Sequence, residues 1–226
     1  MPQVLMVVSA ADRLTLRDGS RHETGYWASE VVEPYEVLTG AGYDIVVATP
    51  GGRVPTPDAR SLGDGGVGDP AAMAPQLAKP ASLSEQQDVT AYGAVVLPGG
   101  HGPMQDLAGD PHLGRILRDA VSAGVPVAAI CHGPAGLLSA VQDPEATWPF
   151  AGRSMTAFSD AEEGELASQL PWSLESELAA SGAKLELADE PYAEKVVVDG
   201  LLVTGQNPAS ARAAAEALVA LLASRR

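Results

Sequence analysis

The chain has 226 residues, 46% of them hydrophobic, which suits one sizeable packed domain over 1–226 and excludes disordered and fibrous classes. Fourteen Lys and Arg against 29 Asp and Glu give a formal charge of −15, so phosphate backbones and anionic lipid repel it, and no nucleic acid or membrane partner is expected. The single cysteine, Cys131, excludes an intramolecular disulfide and a cysteine-built zinc site, and a reduced, cytoplasmic setting is expected.

Met1-Pro2-Gln3 runs into Val4-Leu5-Met6-Val7-Val8 with no basic lead and too few apolar residues for a signal peptide or a span, so 3–8 is expected as a buried strand. A helix is expected over 30–41, strands over 43–48 and 92–97, a helix over 111–123, a strand over 125–130 and a helix over 134–140. A strand at 153–157, helical stretches near 160–168 and 173–181, a hairpin-like pair around Asp199-Gly200 and an Ala-rich helix over 208–223 complete the chain. Short apolar runs alternating with helical periodicity predict an α/β fold, a mostly parallel, doubly wound sheet with helices on both faces.

Two segments break this rhythm: 9–29, polar with charges of both signs, and 50–90, rich in Gly, Pro, Ala and Asp. Long loops in compact domains are functional or tolerated insertions, and these two are candidate walls of a site. Gly63-Asp64-Gly65-Gly66-Val67-Gly68 fits a dinucleotide-binding pattern by letter. No strand precedes it and Asp69-Pro70 follows where a helix should open, so it is read as loop and no cofactor is expected.

The strongest chemical signal is Val127-Ala128-Ala129-Ile130-Cys131-His132-Gly133-Pro134. A buried strand ends at the cysteine and a helix starts about two residues on, with Pro134 suited to its first turn. Such an elbow holds a thiol at the carboxyl edge of the sheet, where ligands of open α/β folds bind. A lone cysteine is more often buried and inert; the elbow and the adjacent His132 favour a reactive one. Leu97-Pro98-Gly99-Gly100-His101-Gly102 ends the strand 92–97 on the same edge, and consecutive glycines bring backbone N–H groups close to a ligand oxygen. His101 reaches that pocket or makes a structural hydrogen bond. Glu30 is either an ordinary first-turn acid or, if its helix starts at this edge, a carboxyl beside the thiol. His22 and His112 lack a partner at helical spacing, so surface or hydrogen-bonded roles are expected and no metal is. The acidic run Asp160 to Glu165 reads as a solvated helix start, and Trp148, Trp172 and Tyr192 as pocket or core.

Gly25-Tyr26-Trp27-x-x-Glu30, Leu97-Pro98-Gly99-Gly100-His101-Gly102, Ala129-Ile130-Cys131-His132-Gly133-Pro134 and Val203-Thr204-Gly205-Gln206-Asn207-Pro208-Ala209-Ser210 follow one another as in a known family. The chain resembles the ThiJ/PfpI superfamily (class I glutamine amidotransferase-like), most of all its heat-shock chaperone and glyoxalase III branch. The resemblance implies a flavodoxin-like three-layer sandwich, a homodimer, and Cys131 as nucleophile with His132 beside it and Glu30 hydrogen-bonded to the thiolate. It places an acid that orients His132 in 158–163, Glu163 before Asp160, and backbone donors at Gly100 and His132. Gly99, His101, Gly133 and Trp27 belong to its oxyanion and substrate-binding surroundings. Larger chaperone members carry a cap domain and a metal-binding histidine pair, for which this chain has little room and no clear counterpart.

A thiolate with an adjacent imidazole suits a small reactive carbonyl better than an amide, since an aldehyde has no leaving group to protonate. The expected activity is glutathione-independent, glyoxalase III-type conversion of methylglyoxal or a related 2-oxoaldehyde to a 2-hydroxy acid. The alternatives are another reaction at Cys131 (deglycase, amidase or peptidase, isonitrile or natural-product hydratase) or a non-enzymatic holdase or oxidative-stress sensor.

Overall fold

The computed structural model describes residues 2–62, 70–141 and 147–225; the glycine-rich pattern at 63–68 lies outside them. In chain order the strands are β1 (Gln3–Val7), β2 (Arg13–Thr15), β3 (Arg21–Glu23), β4 (Asp44–Thr49), β5 (Ala81–Ser82), β6 (Tyr92–Leu97), β7 (Val127–Ile130), β8 (Ser154–Met155), β9 (Lys184–Leu185), β10 (Val196–Asp199) and β11 (Leu202–Gly205). The α-helices are α1 (Ala28–Gly40), α2 (Ala74–Ala78), α3 (Gly102–Asp106), α4 (Pro111–Ala123), α5 (Asp160–Glu163), α6 (Leu174–Ala180) and α7 (Ala211–Ala223).

Seven strands form one sheet in the order β10-β11-β7-β6-β1-β4-β5, parallel throughout except for the antiparallel β10–β11 edge. β1 lies at its interior, and Val4 to Val8 are all fully buried, which is why this strand is a continuous apolar run rather than an alternating one. Val4 and Met6 point into one core layer with Leu38 of α1 and Leu218 of α7. Leu5 and Val7 point into the other, with Leu113, Ile116 and Leu117 of α4 and Leu137. Helices therefore cover both faces, as the alternation of elements predicts. α4 has sharp ends for local reasons: Asp110 Oδ1 accepts the His112 and Leu113 N–H groups (2.8 and 2.9 Å), Pro111 opens the first turn, and Gly124 at φ +69° closes the last.

Three expected elements differ. The helix at 134–140 is a 3-10 helix, Gly133–Ala140. Two glycines and a proline weaken an α-helix there, and Ser139 Oγ donates to the Gly136 carbonyl three residues back (2.6 Å). The strand at 153–157 shrinks to β8, which pairs with β9 in a small separate sheet. Its continuation is diverted, since Thr156 N–H donates to Thr204 Oγ1 and Phe158 N–H to the Cys131 carbonyl. The stretch 160–168 is broken by Gly164 at φ +56°, which separates α5 from a 3-10 turn. The two irregular segments are also not featureless: 9–29 carries the β2–β3 hairpin, and the described residues of 50–90 carry 3-10 turns, α2 and β5.

α5 is held in place by its own Glu162. This buried carboxyl accepts hydrogen bonds from Ser159 N and Oγ, Tyr192 N, Gln206 Nε2 and Asn207 Nδ2, all between 2.8 and 3.0 Å. Replacing Glu162 by Ala strands those donors in the interior and is expected to cost roughly 3 kcal/mol, about 10 °C in Tm for a chain of this length. Glu162→Gln, which keeps one acceptor oxygen, loses about half as much; thermal unfolding of the three proteins checks the order.

Candidate active site

β7 ends at Ile130, and the next residue takes a left-handed conformation: Cys131 has φ +59°. For a residue with a Cβ this costs on the order of 1 kcal/mol and persists only where neighbours enforce it. Here they do. Cys131 N–H donates to the Gly205 carbonyl at the end of β11, and its carbonyl accepts from Phe158 N–H, both at 2.9 Å. The β6 turn closes over the elbow from the other side. A Cβ at Gly99 would lie 2.6 Å from His132 N and 2.8 Å from Cys131 Cβ, so no other residue fits. Gly100 turns at φ +84°, and its N–H, like that of His132, points at the Cys131 sulfur.

Around the sulfur the side chains form two groups. On one side Cys131 Sγ lies 3.3 Å from His132 Nδ1, His132 Nε2 lies 2.6 Å from Glu163 Oε1, and Glu163 Oε2 lies 2.9 Å from His101 Nε2. A carboxylate only accepts, so both Nε2 atoms carry hydrogen, which leaves Nδ1 of a neutral His132 free to accept the thiol proton. Burial works against the Glu163 charge, but the hydrogen bonds from His101 and His132 outweigh it and hold Glu163 down at about 2. Burial, then the neighbouring His132, lowers His101, so that ring is neutral near pH 7. On the other side stands Glu30, 0% exposed, in the first turn of α1. Its Oε2 accepts the Gly99 N–H (2.7 Å) and its carboxyl interacts with the Cys131 thiol, while Oε1 has no other partner among the described residues. Burial pushes Glu30 up to about 8, so it is protonated at neutral pH. Burial, then the Glu30 charge, raises Cys131, and the Gly100 and His132 amides pull the other way. At rest the pair is therefore a thiol and a carboxylic acid.

The structure brings together Glu30, Gly99, Gly100, His101, Cys131, His132 and Glu163 from four separate segments. Gly133 lies directly beneath, its Cα against the Leu97 carbonyl, and Trp27 contributes its N–H to the Gly99 carbonyl (3.0 Å). Asp160 points elsewhere: it is exposed and its Oδ1 accepts from Ser173 Oγ (2.7 Å). Trp148 is core, donating Nε1–H to the Leu137 carbonyl, and Trp172 packs half-buried on the same layer. Tyr192 stands at the site, its ring 6.0 Å from that of Phe158, which in turn lies 4.7 Å from His132. His101, His132 and Glu163 put three ligand atoms within 4.8 Å of one another, a spacing a cation could use. Both Nε2 atoms are bonded to Glu163, so a proton relay is the arrangement present.

His22, expected in a surface or hydrogen-bonded role, instead has its Nε2 buried with no partner among the described residues, and Asp58 and Arg60, which the sequence reading did not single out, lie beside it. His22 sits edge-on to His101, ring centroids 5.7 Å apart. Its inward position follows from β3 alternation, Arg21 and Glu23 facing out and His22 in. Asp58 and Arg60 form a close ion pair (2.6 Å) beside it. All three line a cavity of about 790 Å³ bounded by the β2–β3 hairpin and residues 56–60. The two irregular segments thus do meet in one concavity next to the histidines.

The sequence matches the pattern of the DJ-1/PfpI family over residues 23–221. The chain belongs to the DJ-1/PfpI family. Within it, the chain is 32% identical to the protein/nucleic acid deglycase HchA of Pseudomonas aeruginosa strain UCBPP-PA14, over 91% of this chain and 76% of that protein. It is 27% identical to the glutathione-independent glyoxalase hsp3101 of Schizosaccharomyces pombe, over 96% and 94%. The solved structure of the Rapid Encystment Protein of Francisella tularensis superposes with a TM-score of 0.85 at 28% identity, covering 98% and 99%. The mostly parallel sheet with helices on both faces is the architecture these DJ-1/PfpI structures share.

The state of Glu30 is open to direct measurement. Its folded value of about 8 lies above the ordinary 4.5, so the stability it contributes is fully present below pH 4.5 and is lost as pH rises through 8. Glu30→Gln has no proton to lose. It is expected to raise Tm by roughly 5 °C at pH 8, with the difference closing toward pH 4.5. A difference that did not change with pH would mean that Glu30 is already ionised in the folded protein.

Proposed function

We propose that this protein converts 2-oxoaldehydes such as methylglyoxal to 2-hydroxy acids without glutathione. The observation that carries the reading is the setting of Cys131: a buried sulfur 3.3 Å from an imidazole nitrogen, two backbone N–H groups aimed at it, and a neutral carboxylic acid opposite. In the proposed reaction His132 Nδ1 takes the thiol proton as Sγ adds to the aldehyde carbon. The Gly100 and His132 amides hold the oxyanion of the resulting hemithioacetal. The imidazolium passes that proton to the oxyanion, and His132, neutral again, removes the hydrogen from C1 while Glu30 delivers its proton to the C2 carbonyl oxygen. The imidazolium then returns its proton to C2 as the C1 hydroxyl of the enediol gives its own to the Glu30 carboxylate, and water releases the acid from the resulting thioester. The sum is R–CO–CHO plus water giving R–CHOH–COO⁻ and a proton; C1 is oxidised as C2 is reduced, so no outside oxidant or cofactor is needed. Glu163 fixes the ring and tautomer of His132 and faces the imidazolium as it forms, and His101 fixes Glu163 in turn.

The naming of hsp3101 as a glutathione-independent glyoxalase supports this reading. The naming of HchA as a protein/nucleic acid deglycase favours a second one, in which the same hemithioacetal chemistry acts on adducts of amines, and a concavity far larger than methylglyoxal leaves room for such a substrate. Under either reading Cys131 is the nucleophile.

Proton NMR of methylglyoxal with the purified protein, without glutathione, is expected to show lactate. Cys131→Ala abolishes it, and Glu163→Gln lowers kcat about 10²-fold or more while leaving the thiol in place. In wild type kcat falls as pH rises through about 8, where Glu30 loses its proton, and Glu30→Gln removes that limb along with most of the rate. Lactate formed equally well by Cys131→Ala sinks the proposal; release of free amine from a glycated peptide without lactate from methylglyoxal selects the second reading.

A further inference from the structure

The cavity beside the histidines has more room and more polarity than methylglyoxal can use. Its lining includes His22 and Arg60. Arg60 is fixed along one edge only: Nε and Nη2 donate to the two oxygens of Asp58 (3.0 and 2.6 Å), and Asp58 is itself buried and held by Thr24 Oγ1 (2.8 Å). The other guanidinium nitrogen, Nη1, makes no hydrogen bond among the described residues. His22 Nε2 is likewise buried and without a partner among them. Arg60 also lies close enough to the reacting groups to act on His22, His101 and Glu163 electrostatically. Among the acids that line the cavity, Asp58 is matched by Arg60 and Asp12 lies 3.8 Å from Arg13, while Glu23 stands opposite Arg13 in the hairpin register. A guanidinium nitrogen left unbonded on an arginine oriented by a buried carboxylate, and an unpartnered imidazole nitrogen, line one polar concavity, a pair of groups that suits an oxyanion.

Resting on the 2-oxoaldehyde reading above, we infer that the natural substrate carries an anionic group at its far end, a carboxylate or phosphate two or three atoms beyond the reacting carbonyls, and that Arg60 Nη1 and His22 bind it. The aldehyde would lie at Cys131 while its anionic tail occupies the inner cavity. The net charge of −15 works against any anion at long range, so a preference for an anionic tail has to come from local donors. The chemistry is unchanged: 4,5-dioxopentanoate and water give 2-hydroxyglutarate and a proton, with C1 oxidised and C2 reduced.

The test compares 4,5-dioxopentanoate with its uncharged analogue 2-oxopentanal. Wild type is expected to favour the first by about tenfold in kcat/KM, the effect of one charge-assisted fork. Arg60→Gln brings the ratio to about one and Arg60→Lys keeps part of it; because the readout is a ratio, a general loss of fold does not imitate it. Calorimetry on Cys131→Ala protein with 2-hydroxyglutarate and 2-hydroxypentanoate gives the same comparison without chemistry. Turnover of both aldehydes at equal kcat/KM with equal binding of the two acids overturns this inference and leaves the glyoxalase reading standing. A preference that survives Arg60→Gln overturns it as well. Absence of turnover on every 2-oxoaldehyde, together with Arg60-dependent binding of 2-hydroxyglutarate, keeps the anion site and removes the proposed reaction.

Discussion

The arrangement depends on one backbone constraint: Cys131 is held left-handed where β7 leaves the sheet. With φ +59° the chain reverses within a residue, the sulfur stays at the carboxyl edge, and the following N–H groups face it. The turn is held from three directions, by the Gly205 carbonyl on β11, by Phe158 N–H on the segment after β8, and by the Gly99-Gly100 turn after β6. Two of these clamps also deliver chemistry. The β6 turn brings an amide and His101, the segment after Phe158 brings Glu163, and the Gly99 amide anchors Glu30. Strain at the elbow and assembly of the site are thus the same set of contacts, which is why glycine is the one residue that fits at 99.

Electrostatics then divide two buried carboxyls into opposite states. Glu163 receives two imidazole N–H donors and is pulled to about 2; Glu30 receives one amide, faces a sulfur that also resists ionising, and is pushed to about 8. Both are desolvated, so the number and charge of donors decide the sign. One is a permanent anion that can stand opposite an imidazolium, and the other is a proton source at neutral pH. A fixed anion and a proton source are thus obtained from the same side-chain type.

Much of this was legible in the sequence because it is written locally. The strand at 92–97 and the helix at 111–123 are found at those residues, the first bounded by a glycine turn and the second by Asp110-Pro111 and Gly124. The glycine spacing around Cys131 and the four motifs in order were enough for the family. Illegible features depend on contacts between distant segments. Residues 134–140 wind as 3-10 because of a Ser139 hydroxyl, and 153–157 is cut short by Thr204 and Cys131. Among Asp160, Glu162 and Glu163 nothing in composition separates the three roles. Helical phase does, turning the first to Ser173, the second to Gln206 and Asn207, and the third to the histidines. His22 carried a faint signal in the alternation of β3, but that it faces His101 is a fact about the hairpin's docking.

The depth of the nucleophile shapes what any substrate must be. Cys131 is 3% exposed and His132 1%, so the sulfur is open only to a small group. A small reacting group offers few contacts for telling one molecule from another. Discrimination has to be exercised further out, on the part of the molecule that does not react. The β2–β3 hairpin and residues 56–60 are built from irregular stretches of the chain, yet they place a pinned guanidinium and a half-buried imidazole beside the histidines. Loops hung on a rigid sheet edge can change the outer cavity without moving the elbow. The division of labour follows: the sheet edge fixes Cys131, and the hairpin and its neighbouring turn shape the cavity beside it.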